Sequence, residues 1–415
     1  MKKSIQRIDT LAIQRRKRDS IKKFSLRKTA GIAFALWIAA AIASPAQTTF
    51  TTVNFNGSIG GASPYLTSLI QGANGNIYGT ATGGGTYDNG TIFQVTPAGV
   101  LKNIYSFCFR TNCLDGSDPL GTLLESGGEL YGATSGGGAH LEGTIFKTTL
   151  AGKMTTLHTF AGGTTDGAYP QAGLVSYNGD FYGTTSRGGA NDDGTVFKIT
   201  PGGKLTTLYS FCSQTNCADG SYPTAGLLQV GGNFYGTTVY YGAHGDGGTI
   251  FEITPEGTLT TLYSFCSQAH CTDGGYPYGS QLIEVGGNLY GTTAYGGGNS
   301  EGTVFELTSG GTLTTLYSFC SQTKCTDGSI PYGGIIQATD GNFYGTTCCG
   351  GANNWGTVFK LTPGGTLTTV KSFNGVQGGE PFGGLLQAGN GDFFGATEYG
   401  GSRLIGVVFK LSVKD

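Results

Sequence analysis

Residues 180–185 (DFYGTT), 195–200 (TVFKIT) and 205–211 (LTTLYSF) decide the fold. The first run follows the tight-turn pair Asn178-Gly179, the second a Gly-rich loop, and the third the turn Pro201-Gly202-Gly203. Ahead of them, the apolar stretch Ala172 to Tyr177 opens shortly after Pro170. All four runs are rich in β-branched and aromatic residues, and Gly, Pro or Asn punctuates each. None carries a 3.6-residue period. The unit therefore reads as four short antiparallel strands.

The unit repeats. Y-G-T/A recurs at Tyr78, Tyr131, Tyr182, Tyr235, Tyr290 and Tyr344, with Phe394 as a seventh copy. G-T-I/V-F starts at Gly90, Gly143, Gly194, Gly248, Gly302 and Gly356, with Gly406 seventh; one insertion near Tyr241 lengthens the fourth copy. A proline marks the start of each unit: Pro64, Pro119, Pro170, Pro223, Pro277, Pro331 and Pro381. Four strands per ~50 residues, seven times over, is the pattern of a β-propeller. The last copy lacks a fourth strand, and Thr49 to Phe55 (TFTTVNF) resembles the missing one. The expectation is an all-β, seven-bladed propeller of four-stranded blades, closed by the N-terminal strand. Closure hides two sheet edges; a linear β-solenoid would leave that strand without a partner.

The phased wording YGTTxxGG…GTVF…PGGTLTTLYSF resembles the GloVer tandem repeat of bacterial secreted proteins, over roughly Phe50 to Leu411. The resemblance implies secretion and repetition, not an activity. The chain departs from the pattern at Phe394 and Val407. It stops at Lys414-Asp415 without a C-terminal anchor, so release from the cell is expected.

Composition agrees. Gly contributes 76 of 415 residues, far above the usual roughly 7%. Its spacing has no three-residue period, and 22 Tyr with 24 Phe can build a core, which excludes collagen and a low-complexity tail. Residues 1–28 hold eleven Lys/Arg and two Asp; removing them from totals of 24 and 26 leaves 13 basic and 24 acidic residues, a net charge of −11. An acidic body repels phosphate backbones, so no nucleic-acid partner is expected. The apolar run Ala30 to Ala43 is short for a membrane span but suits an export signal, with small residues at Ala43 and Ala46 for cleavage. Residues 1–46 are read as a signal peptide with a long basic start and 47–415 as one propeller domain, secreted or held in the periplasm or envelope. An uncleaved N-terminal anchor is the alternative; after cleavage no membrane association is expected.

In an up-and-down blade, successive turns alternate between faces. The first–second and third–fourth turns are minimal and share one face. The second–third and blade-to-blade loops are long and share the other, where function is expected. Cysteines decorate that face in C-x4-C pairs: Cys108/Cys113, Cys212/Cys217, Cys266/Cys271 and Cys320/Cys325. In those loops the Phe-to-Pro distance is always 12; in loops without Cys it is 9, 10 and 8. Cysteine arrives in twos and with extra length, as local disulfides in an oxidising compartment would require. Each contributes roughly 2 kcal/mol by loop-closure entropy. Cys348-Cys349 differs: a vicinal disulfide and two free thiols both fit.

No nucleophile–base pattern is visible; His140, His158 and His244 lack a partner at fixed spacing, and no helix follows Gly83-Gly84-Gly85 to make a phosphate cradle. No cofactor or metal is read. Ca²⁺ at the D-G-x-x-P aspartates (Asp115, Asp166, Asp219, Asp273, Asp327) is considered, but a plain turn role is favoured. Asp88, Asp192 and Asp246 resemble part of the Asp-box of sialidase-type propellers. The aromatic residues Tyr240, Tyr241, Tyr295, Trp355 and Tyr399 of second–third loops, with Tyr222, Tyr276, Tyr278, Tyr332 and Phe382 beside the prolines, are candidates for stacking on sugars or anchoring a protein, or for packing between blades. The preferred reading is a binding module for an extracellular polysaccharide or surface protein. A glycan hydrolase or lyase using Asp192, Asp193, Asp246 and Glu301 is the enzymatic alternative, and a structural envelope component a third.

Overall fold

The computed structural model describes residues 48–57 and 60–413. The expected export signal lies outside them. Seven four-stranded antiparallel sheets follow one another around a ring. Blade three shows the pattern: Val175–Tyr177, Asp180–Thr185, Thr195–Ile199 and Leu205–Ser210 pair in sequence order. In blade seven the fourth strand is Thr49–Asn54, which pairs antiparallel with Val407–Ser412, Thr49 opposite Ser412 and Asn54 opposite Val407. Phe50 stacks on Phe409 with ring centroids 5.7 Å apart. The N-terminal strand therefore closes the ring as its sequence suggested.

The three phased motifs turn out to be contacts. The Gly of Y-G-T and the Phe of G-T-V-F face each other across two strands, Gly183 opposite Phe197 in blade three. A Cβ on Gly183 would stand 2.7 Å from Phe197 Cζ, so the second strand must carry Gly for the ring to lie flat over it. The same pair recurs in every blade, from Gly79 opposite Phe93 to Gly395 opposite Phe409. These Phe side chains are fully buried and form the core between adjacent blades. The first Gly of G-T-V-F has a second duty. Gly194, at φ +100°, lies against Pro223 of the next blade, where a Cβ would be 2.6 Å from its Cδ. Gly406 meets Pro64 in the same way, so the seventh of these contacts joins the last blade to the first.

The residue before each proline is the surprise. Ser63, Asp118, Tyr169, Tyr222, Tyr276, Ile330 and Glu380 all have φ between 51° and 63°. Residues preceding proline ordinarily stay extended, and a left-handed side-chain-bearing residue costs about 1 kcal/mol or more. Hydrogen bonds hold them there: Tyr222 N donates to Asp193 O of the preceding blade at 2.8 Å, and its own carbonyl accepts from Val239 N at 3.2 Å. The inter-blade bond repeats at all seven positions, closing with Ser63 N to Ile405 O. A strained rim thus surrounds the channel on the long-loop face.

Candidate functional site

The channel opens inside that rim. A cavity of about 400 Å³ is lined by the inner strands of all seven blades. Ser68, Thr122, Gly173, Gly226, Gln281, Gly334 and Gly384 line it, one from each blade, with a layer of Leu and Ile side chains. Among the described residues that line it there is no carboxylate and no histidine. Blades one and five each carry one extra residue between the proline and the inner-strand Leu, namely Leu66 (φ 49°) and Gly279 (φ 67°). These meet: a Cβ on Gly279 would stand 3.2 Å from Leu66 Cδ2. Leu66 thereby bridges two blades that have blades six and seven between them along the ring.

Aromatic side chains run around one side of the mouth in continuous contact. Tyr222 meets Tyr240 (centroids 5.5 Å), Tyr240 meets Tyr276 (5.9 Å), and Tyr276 meets Tyr295 (5.8 Å). The hydroxyls of Tyr295 and Tyr332 lie 3.4 Å apart. Tyr332 then meets Tyr278 (5.4 Å) and Phe382 (5.2 Å), and Phe382 meets Tyr65 (4.9 Å). The rings are graded in depth. Phe382 and Tyr332 are buried, while Tyr222, Tyr240, Tyr276, Tyr278 and Tyr295 are half-buried. Burial, then the neighbouring Tyr295 and Cys348, push the Tyr332 phenol well up, so it stays neutral. At one end of the arc, Arg187 lies 5.9 Å from the Tyr222 centroid.

The other candidates are placed differently. Tyr241 sits in the blade-four insertion at φ 59° and is exposed. Tyr399 occupies the position equivalent to Tyr240 and Tyr295, bridged to Gly379. Trp355 serves the scaffold. Its ring lies over the blade six-to-seven loop, where a Cβ on Gly379 would be 2.4 Å from Cε3. The equivalent blade-four residue is Gly247, and there the space belongs to Cys266 Sγ. Indole replaces the disulfide in a loop that lacks one.

The four C-x4-C pairs are bonded: Cys108–Cys113, Cys212–Cys217, Cys266–Cys271 and Cys320–Cys325. Each loop is built on the aspartate that follows it. Asp219 is fully buried and accepts from Ser213 N (2.9 Å), Ser213 Oγ (3.1 Å), Gln214 N (3.2 Å) and the Tyr209 hydroxyl (2.9 Å). Donors fill the space a cation would need, so these aspartates do not fit Ca²⁺ sites. Asp193, Cys212 and Cys217 also cluster, but both sulfurs belong to a disulfide and cannot act as thiolates. The Asp-box-like residues lock turns: Asp88 Oδ1 accepts from Gly84 N at 2.9 Å and Asp192 Oδ1 from Gly188 N at 3.0 Å. Asp246 Oδ1 accepts from Tyr241 N at 3.2 Å. Asp193 and Glu301 lend their carbonyls to the inter-blade hydrogen bonds of the rim. His158 stands in a fourth strand, its Nε2 3.1 Å from Asp166 Oδ2.

The Gloeobacter/Verrucomicrobia repeat family model matches residues 29–247, 214–326 and 320–415. This chain belongs to that repeat family. No curated protein matches the sequence. Among solved structures it is similar to the tricorn protease (13% identity, 74% of this chain and 26% of that one, TM-score 0.40). It is also similar to a putative 6-phosphogluconolactonase from Bacteroides uniformis (16% identity, 73% and 83%, TM-score 0.47). A third is a gluconolactonase from Xanthomonas campestris (11% identity, 91% and 93%, TM-score 0.43). The chain spans about a quarter of the tricorn protease's length. At these levels the likenesses carry no argument about activity.

Proposed function

We propose that this propeller is a secreted carbohydrate-binding module whose ligand sits at the channel mouth. The observation that carries this is the continuous aromatic arc from Tyr222 to Tyr65, beside a concave cavity lined without carboxylates. Tyrosine offers a flat apolar face and a hydroxyl, which matches the alternating CH and OH surfaces of a sugar ring. Four disulfides support maturation in an oxidising compartment. The enzymatic alternative is weaker because Asp192 and Asp246 are engaged in turn hydrogen bonds.

The test is an oligosaccharide array with the mature chain, the double variant Tyr240→Ala/Tyr295→Ala, and Asn178→Ala on the short-turn face. Each aromatic contact is worth about 1 kcal/mol, so the double variant should bind at least about tenfold more weakly. Asn178→Ala should bind like the parent. Binding untouched by the double variant, or lost through Asn178→Ala alone, overturns this reading. Release of cleaved sugar during incubation favours the enzyme.

A further inference from the structure

Cys348 and Cys349 interrupt the ring of mouth residues. Cys349 stands where blades four, five and seven carry Tyr240, Tyr295 and Tyr399, each bridged antiparallel to the entering loop. Its backbone is fixed: Ser329 N donates to Cys349 O at 2.9 Å, Cys349 N to Ser329 O at 3.2 Å, and Thr347 Oγ1 to Cys349 O at 2.9 Å. Cys348 N donates to Ile330 O, the carbonyl of a rim residue held at φ 57°. The two sulfurs lie 2.9 Å apart. That is inside van der Waals contact for sulfur and less than about 1 Å beyond a bond of roughly 2.05 Å. Cys348 is fully buried among Ala294, Tyr332 and Phe382, whereas Cys349 is partly exposed.

We propose that Cys348 and Cys349 are a redox pair at the channel mouth, oxidised from dithiol to vicinal disulfide by a disulfide co-reactant. The partly exposed Cys349, once its sulfur has given its proton to water, attacks one sulfur of the co-reactant. The co-reactant's S–S bond breaks and its other half leaves as a thiolate. Cys348 Sγ then attacks Cys349 Sγ; the S–S bond between neighbours forms, and the second half of the co-reactant departs with the Cys348 proton. Two thiols are oxidised and one disulfide is reduced to two thiols. The order of attack follows from burial. Desolvation, then Cys349 and the carboxylates Glu380 and Glu301, push the Cys348 thiol well up, which makes it the resolving sulfur. Closing the bond removes two S–H groups from the wall beside Tyr295 and Tyr332.

The experiment treats the mature chain with oxidised glutathione, alkylates remaining thiols, and maps peptides without reduction. The expected 348–349 peptide is unalkylated and lighter than the dithiol by two hydrogens, with all four loop bridges retained. In Cys348→Ser the expected product is a stable glutathione adduct on Cys349. In Cys349→Ser, buried Cys348 should take neither glutathione nor alkylating agent until the protein is unfolded. Alkylation of both cysteines in the parent, or a lasting adduct on Cys349 with Cys348 free, overturns the proposal. A correct far-ultraviolet circular dichroism spectrum establishes that each variant is folded. This outcome is read by mass and is independent of whether the mouth binds sugar.

Discussion

The Tyr209 hydroxyl donates to Asp219 Oδ2 at 2.9 Å, and the pair recurs as Tyr105–Asp115, Tyr263–Asp273 and Tyr317–Asp327. Each joins the end of a fourth strand to the loop that begins the next blade. Where the repeat drifts, the contact is kept with other side chains. His158 takes the Tyr place and holds Asp166; Lys371 takes it and holds Gln377 Oε1 at 2.7 Å. At Val53, which has no polar group, the following loop has no Asp. Asp219→Ala should leave four donors without their buried acceptor and lower unfolding stability by about 2–3 kcal/mol. Tyr209→Phe should cost about 1 kcal/mol. Denaturant titration reads both, and an unshifted midpoint for Asp219→Ala would show the loop to be held by its disulfide alone.

Phenols hydrogen-bonded to carboxylates set an alkaline limit. Burial, together with Asp273 and Asp327 respectively, pushes Tyr263 and Tyr317 up to about 12; burial with Glu252 does so for Tyr235, and burial with Asp340 for Tyr344. A phenol whose pKa is higher folded than unfolded favours the fold while it is protonated. That contribution is full below about 10 and is lost as pH rises toward about 12. Tyrosinate absorbance should therefore rise late and together with unfolding. A cohort of all tyrosines ionising near 10 with the fold intact would contradict these environments.

The short-turn face carries an interchangeable charge code. In blade three Lys198 Nζ lies 2.7 Å from Asp180 Oδ2; in blade four Glu252 Oε1 accepts from Asn233 Nδ2 at 2.6 Å and from the Tyr235 hydroxyl at 2.9 Å. Blade five repeats the Glu–Asn form with Glu306 and Asn288. Lys198→Glu alone places two carboxylates together and should destabilise by about 0.5–1 kcal/mol. Adding Asp180→Asn should restore the parent stability, because the pair then matches blade four. A double variant no more stable than Lys198→Glu would show that the two positions do not act as a unit.

Trp355 should matter to folding and not to ligand. Its indole fills the space over Gly375 and Gly379 in a loop that lacks a disulfide. Trp355→Ala should cost about 2–3 kcal/mol through the cavity it leaves. Ligand affinity should change less than about twofold at a temperature where the variant is folded. A large affinity loss without destabilisation would move Trp355 into the binding surface.

The fold was legible because every repeat spells out its contacts. Gly183 and Phe197 are conspicuous in sequence for the reason that they face each other, and Gly194 because it touches Pro223. The disulfides were legible through loop length. The family resemblance drawn from the same motifs agrees with the matched repeat family. Three features were not read. The left-handed rim residues include Ser, Asp, Tyr, Ile and Glu, so no composition signal marks a conformation imposed by hydrogen bonds between blades. The buried role of Asp219 was hidden because Asp-Gly also spells an ordinary turn. The Leu66–Gly279 contact has a signal in spacing: from the proline to the inner-strand Leu or Ile it is five in blades one and five and four elsewhere. Tyr240, Tyr276 and Tyr295 each stand out singly in the sequence, but the continuity of the run depends on which neighbouring blades supply the rings.

The most direct measurement is a crystal structure of the mature chain soaked with the best oligosaccharide from the array. The account predicts intact sugar rings at the channel mouth, stacked against the edge formed by Tyr240, Tyr276 and Tyr295. Density for the sugar on the short-turn face, or a cleaved glycan held between carboxylates, would contradict it.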